Sequence, residues 1–379
     1  MKETNRQLLD VVCHVLNGTV LPDIIFWEPL LALAKMHNFI GYLYRVACQR
    51  QDIPKPVYTQ IHKLYWMSVA QQAQQSHEAE RIFSALQEKG IPFAPIKGEE
   101  VRMVYPASDL RFSCDIDFLY PEDRRKEVNS LIESFGYTQQ ISAAHNDTFV
   151  CNMVTVESHF ALFEEGSEES AYYADVWSKL LTEDGIRYHF SKGDLYIYML
   201  LHIKKHMLHG GAGIRSVIDL WLWNKTYDVL SDDYVKRELE KLGLVRFANT
   251  MQRLAKIWLE GETSDEDMDL LGDFIFNGGA YGTFEQKAQL EASVTGEHAS
   301  EKIKMRFLLK RIFPPYADMC VRYPILKKAS ILLPFAWVVR LFATLFTSRR
   351  KHIKRDMEIA SHLSEDNVTK MSRIRELIE

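Results

Sequence analysis

Arg111-Phe112-Ser113-Cys114-Asp115-Ile116-Asp117-Phe118-Leu119-Tyr120 sets two carboxylates two residues apart at the head of an apolar run. A strand has a side-chain period of two, so Asp115 and Asp117 point to one face while Ile116 and Phe118 point to the other. Two adjacent like charges repel, and in a partly dry setting one of them loses its proton less readily. A divalent cation removes that repulsion and uses both oxygens as hard ligands.

Working outward, Ile91-Pro92-Phe93-Ala94-Pro95-Ile96 is a short apolar run with prolines, suited to a strand that enters a tight turn at Lys97-Gly98. Glu99 to Tyr105 reads as a short helix and Ile116 to Tyr120 as a buried strand. Pro121 to Phe135 reads as a helix with proline at its first position and Gly136 just past its end. Two further strands are expected near Phe149 to Thr155 and Val156 to Phe163. On the last of these, Thr155, Glu157 and His159 alternate, so Glu157 is a third acid able to complete a three-carboxylate cradle. The Lys97-Gly98 turn, with its backbone N–H groups, a following helix and a lysine, suits a triphosphate. A lone Asp-x-Asp more often marks a solvated turn or a helix cap. The turn and the strand–helix context around this one favour function.

The rest of the chain is helical in pattern. From Leu8 to about Lys89, and again from Asp194 onward, apolar residues recur at helical spacing, as in Trp27-Leu30-Leu31-Leu33-Ala34. The expected class is therefore α+β, with a small mixed sheet at 91–190 between a helical region at 1–90 and a helical domain at 191–379. Thr263 to Glu297, rich in Asp, Glu and Gly, reads as a looser connection or mobile insertion. There is no internal repeat.

Composition narrows the function classes. Of 379 residues, 47% are hydrophobic and 26% charged, as in a folded globular protein rather than a disordered or fibrous one. The net charge of -5 supplies no overall attraction to nucleic acid, which is not the expected partner. Cys13, Cys48, Cys114, Cys151 and Cys320 are scattered and odd in number, and they form no CxxC pair. The opening MKETNRQLLDVV lacks the layout of an export signal. Both point to a cytoplasmic setting. Ala329 to Phe346 is apolar but interrupted by Pro334 and Arg340, and basic residues follow up to Arg355. This pattern fits either a buried helix with a solvated basic end or peripheral contact with a membrane surface through 329–355.

The pattern Pro95-Ile96-Lys97-Gly98, Tyr105-Pro106, Arg111, Asp115-Ile116-Asp117-Phe118-Leu119, then Phe135-Gly136-Tyr137, resembles the uncharacterised nucleotidyltransferase family of the DNA polymerase β-like superfamily. Val156-Glu157-Ser158-His159-Phe160 is similar to that family's acid-x-His element, and His202 through Asp219 carries a weaker likeness. Strong matching covers Ile91 to about Leu162. The chain departs from the superfamily pattern at Glu99, where serine is usual, and at Ser158, where a large apolar residue is expected.

The resemblance implies transfer of an NMP from a nucleoside triphosphate to an acceptor hydroxyl, with pyrophosphate released. It implies two Mg²⁺ ions, with Mn²⁺ able to substitute, held by Asp115, Asp117 and Glu157, the last also helping to deprotonate the acceptor. It places Lys97, Gly98, Arg111, His159, Lys205 and His206 near the nucleotide. The acceptor's identity is not specified. A second class stays open, a nucleotide-binding or regulatory module with the same fold and little turnover. His202, His206 and His209 fall at i, i+4 and i+7 and read as phosphate contacts or a packed helix end, with zinc as the lesser alternative. Asp219 reads as a helix–helix partner, and Trp221, Trp223, Tyr196 and Tyr198 as core.

Overall fold

The computed structural model describes residues 1–379 apart from 114, 294–299, 317–318, 321–322, 346–356, 358 and 362–363. It divides into two compact units, one of residues 1–204 and 213–264 and one of 205–212 and 265–379. The protein is an α+β fold, mostly helical with a small sheet.

The first unit opens with α1 (Glu3–Asn17), α2 (Trp27–His37), α3 (Ile40–Ala47) and the long α4 (Lys55–Glu88). α4 has proline in its first turn, where the missing N–H is not needed, and Gly90 follows its end with φ 61°. Its apolar stripe Ala79, Ile82, Phe83 and Leu86 is spaced at three and four residues and is buried. Then come β1 (Ala94–Pro95), α5 (Gly98–Arg102), β2 (Asp115–Leu119), α6 (Arg125–Ser134), β3 (Thr138–Ser142), β4 (Asn146–Cys151) and β5 (Val154–His159).

Among the described residues these strands form one sheet in the order β1-β2-β5-β4-β3. β2 and β5 are parallel and the other neighbours antiparallel. Alternation along β2 and β5 separates two faces. Ile116, Phe118, Val154 and Val156 pack into the core with α4 and with Val128, Leu131 and Ile132 of α6. Burying one such side chain is worth about 1.5–3 kcal/mol. The opposite face carries Asp115, Asp117, Glu157 and His159. The register is unbroken through Ser158, which is fully buried opposite Asp147 and donates its hydroxyl to the Asp147 carbonyl at 3.4 Å. A large side chain there would meet a polar patch, because the Asp147 carboxylate accepts bonds from Arg125, Asn129 and Gln139.

The unit continues with α7 (Glu168–Tyr172), the hairpin of β6 (Leu180–Thr182) and β7 (Tyr188–Phe190), α8 (Lys192–Leu208), α9 (Ile214–Tyr227), α10 (Asp233–Lys241) and α11 (Val245–Leu259). Tyr196, Tyr198, Trp221 and Trp223 are core residues. The last turn of α8 belongs to the second unit.

The second unit contains α12 (Glu266–Gly278), α13 (Phe284–Ser293), α14 (Ser300–Ile312), α15 (Leu333–Leu345) and α16 (Glu365–Ile378). The stretch expected to be a loose insertion from Thr263 to Glu297 is instead helical from Glu266 to Ser293 apart from the turn at 279–283, and its residues 294–297 lie outside the described residues. Asp265 caps α12 by accepting from the Met268 N–H, its acids fill a first turn where the helix dipole favours negative charge, and Met268, Leu271 and Ile275 make a buried stripe. Local richness in Asp, Glu and Gly was therefore a helix start and stop rather than a linker. Gly210 and Gly282 touch so closely that any Cβ at Gly282 would strike the Gly210 carbonyl. Among the described residues no helix is long and apolar enough to cross a membrane. Residues 346–355 of the segment considered for membrane contact lie outside the described residues.

Candidate active site

The parallel pairing of β2 with β5 aligns Asp115 with Thr155, Asp117 with Glu157 and Leu119 with His159. Two acids from strands distant in sequence thus face each other across one ladder step. His159 Nε2 lies 3.4 Å from Asp117 Oδ1 and 3.7 Å from Glu157 Oε2. Ligand atoms of Asp117, Glu157 and His159 all fall within 4.8 Å of one another, a cluster able to hold a metal ion. The donor set fits a divalent cation, since two hard carboxylates and an imidazole converge on one point. Asp115 stands beside this cluster, its Oδ1 accepting from the Ser113 hydroxyl at 2.7 Å. Gln75 of α4 donates to the Asp115 carbonyl and so pins the start of β2.

Electrostatics at the cluster are uneven. Burial and the neighbouring Asp117 hold the Glu157 carboxyl above the usual carboxylate range. Burial acts on Asp117 in the same sense, but the His159 ring and the Lys97 ammonium outweigh it, so Asp117 stays ionised more readily than a free carboxyl.

Lys97 owes its place to a strained turn. Its φ of 54° and ψ of -64°, with the Gly98 N–H donating to the Ile96 carbonyl at 2.6 Å, form a γ-turn of the rare left-handed type. The Ile96 N–H donates to the Asp117 carbonyl at 2.9 Å, which fastens the turn to β2. The Lys97 ammonium reaches His202 Nε2 at 2.8 Å and lies 5.4 Å from the centre of the Tyr198 ring. Burial pulls its pKa down, and Asp117, Asp115 and Glu157 pull it back up. Next to it, a Cβ on Gly98 would meet nothing within 4 Å, so the backbone there borders open space.

Arg111 is committed elsewhere. Its guanidinium grips Asp219 of α9 through two bonds of 2.9 Å and donates to the Gly98 carbonyl at 3.1 Å. Tyr105 donates to the same Asp219 carboxylate at 2.5 Å. Asp219, expected to join helices, instead closes a buried network that fixes the loop before β2 and the back of the Gly98 turn. Among the other expected nucleotide residues, Lys97 and His159 come together at the cluster, whereas Lys205 and His206 lie on the last turn of α8 in the second unit. His209 in that unit bonds the Lys205 carbonyl at 2.7 Å.

One residue was missed by the sequence reading. Arg102, at the end of α5, lines a small cleft with Asp115, Asp117, Gly98, Gln75 and Ser76. Its Nε is buried without a hydrogen-bond partner, and among the described residues it makes no ion pair. Burial, with Arg111 and Arg215 nearby, lowers its pKa. The signal was present, for Arg102 lies four residues after Gly98, one turn along a helix that starts there.

With this geometry in hand, residues 25–260 match the model of the family described as uncharacterised nucleotidyltransferase, which is more than half the chain. The chain belongs to that family. Among solved structures, this nucleotidyltransferase is similar to a crystal structure of ANT(2'')-Ia in complex with adenylyl-2''-tobramycin, at 13% identity and a TM-score of 0.35, covering 44% of this chain and 98% of that one. A solution structure of the antibiotic-resistance factor ANT(2'')-Ia gives 12% identity and a TM-score of 0.34, with 47% and 95% covered. Among curated proteins nothing matches.

Proposed function

We propose that this nucleotidyltransferase is metal-dependent and moves an NMP from a nucleoside triphosphate to an acceptor hydroxyl, with pyrophosphate leaving. The observation that carries the proposal is the in-register pair Asp117 and Glu157, set beside an ammonium, a free guanidinium and an open glycine turn. Asp117, Glu157 and Asp115 would hold the metal, with His159 at the edge of the same cluster. A bound divalent ion would supply charge stabilisation to the phosphate undergoing attack.

The chain's own groups divide the remaining work. Gly98 leaves room for the triphosphate to approach the backbone, and Arg102 offers it a guanidinium with no internal partner. Lys97 balances the acids before substrate arrives and gives the nucleotide phosphates a cation once it does. Glu157, held above the usual carboxylate range by burial, is suited to take the acceptor's proton. Arg111, Asp219 and Tyr105 hold the turn and β2 at a fixed separation, so that no reorganisation is needed as charge develops.

Calorimetry with ATP, GTP, CTP and UTP, with and without Mg²⁺, followed by a pyrophosphate-release assay on a pool of hydroxyl-bearing metabolites, tests this reading. Metal-dependent binding of a triphosphate with release is expected. Binding without release would favour a regulatory module, and no binding would defeat both.

A further inference from the structure

Three distances around His159 ask for an explanation. Its Nε2 is 3.4 Å from Asp117 Oδ1 and 3.7 Å from Glu157 Oε2, and all three ligand atoms lie within 4.8 Å of each other. A charge-assisted hydrogen bond between an imidazole and a carboxylate is shorter, about 2.7–2.9 Å. Two ligands of one metal ion, with bonds of about 2.0–2.2 Å, stand about 3.0–3.5 Å apart. At 3.4 Å the His159–Asp117 contact is long for a hydrogen bond and equally matches the spacing of two co-ligands of one ion, with Glu157 closing the triangle. His159 is 8% exposed, among the described residues its Nε2 meets those two carboxylates, and its Nδ1 is buried without a hydrogen-bond partner. Asp115, by contrast, spends one carboxylate oxygen on Ser113.

From this geometry we infer that His159 is itself a ligand, so that one metal position is an Asp117–Glu157–His159 site that prefers a first-row transition ion over Mg²⁺. The inference rests on the metal-dependent reading above and sharpens it. Mg²⁺ favours an all-oxygen octahedral shell and keeps its waters, whereas imidazole is a good donor to later first-row ions such as Co²⁺ and Zn²⁺, with Mn²⁺ between them and Mg²⁺. A nitrogen in the set therefore tilts the choice without altering the fold. His159 reaches this position because β5 alternates. Glu157 and His159 are two residues apart on one face, and Leu119 rather than an acid is the step opposite His159, which leaves its ring free to lean toward Asp117.

The test uses tag-free full-length protein with metal alone and no nucleotide. Mn²⁺ is titrated by electron paramagnetic resonance, and the bound ion is examined for nitrogen modulation in the spin-echo envelope. Mn²⁺ is expected to bind about tenfold or more tightly than competing Mg²⁺ and to show one directly coordinated imidazole nitrogen. In His159→Ala the nitrogen signal should vanish and the Mn²⁺ preference should fall to near parity, while Asp117→Asn should lose both ions. The wild-type spectrum decides the matter even if a variant folds poorly. Mn²⁺ bound with no nitrogen signal would overturn the role of His159 and leave a carboxylate site standing. If neither ion binds the wild-type protein, the metal-dependent reading itself falls.

Discussion

Asp117 and Glu157 are direct neighbours across the parallel ladder of β2 and β5, although forty positions separate them in the chain. A parallel pair needs a crossover, and here the crossover runs through α6, β3 and β4, of which α6 and β4 also supply core residues beneath the site (Val128, Leu131, Ile132 and Phe149). The chemistry face and the packing face are thus made by the same two strands. Slipping β5 by one residue would bury Glu157 and expose Val156, so the apolar face that stabilises the sheet also enforces the position of the acids.

Arg102 gives the first prediction. A half-buried guanidinium whose Nε has no hydrogen-bond partner costs stability, so Arg102→Met should leave the melting temperature unchanged or raise it. The same change should weaken triphosphate affinity by about 10–100-fold, the value of one charge-assisted bond of ~1.5–3 kcal/mol. Calorimetric binding together with thermal unfolding checks both halves. Loss of stability with intact binding would show the residue to be structural.

The network behind the turn behaves in the opposite way. Asp219→Ala should destabilise the protein by about 3–5 kcal/mol, because Arg111 is left buried and unpaired. Replacing both partners, Arg111→Met with Asp219→Leu, should recover much of that loss. Denaturant unfolding of the two variants measures the difference, and equal loss in both would contradict the account.

Glu100 supplies a pH dependence. Burial pushes its carboxyl up to about 7, and its Oε2 has no hydrogen-bond partner. Because the folded-state value lies above the unfolded one, ionised Glu100 opposes folding. The penalty is absent below the unfolded range near 4.5, grows between there and 7, and is complete above it. Glu100→Gln should therefore raise the melting temperature at pH 8 and change it little at pH 5. A gain independent of pH would show that charge is not the cause.

How much of this was legible before coordinates follows from the range of each interaction. The strand with Asp115 and Asp117, the helix after it and the tight turn at Lys97-Gly98 are local, and two-residue alternation with Pro and Gly marks them directly, although α6 itself begins at Arg125, a 3-10 turn after Pro121. Glu157 was legible through its own alternation with His159, but its register with Asp117 was not, because strand pairing is decided by the apolar face. β3 was missed since all five of its residues are exposed and carry no buried alternation. Arg111 was expected to steady the nucleotide or the Asp pair, and its tie to Asp219 was not legible because the two lie 108 residues apart, a separation over which sequence pattern holds no distance information. Arg102 was overlooked for the reverse reason, as what distinguishes it is a buried Nε that no acceptor pairs.

The central claim is that the acids opposite one another on β2 and β5 carry nucleotidyl transfer. The most direct measurement follows α-phosphate-labelled triphosphate into an acceptor-bound product, comparing wild type with Asp117→Asn at matched folding. The account predicts metal-dependent labelling by the wild type and a fall of about a thousandfold or more in the variant, equivalent to ~4 kcal/mol of lost charge stabilisation. Labelling by Asp117→Asn at the wild-type rate would contradict it.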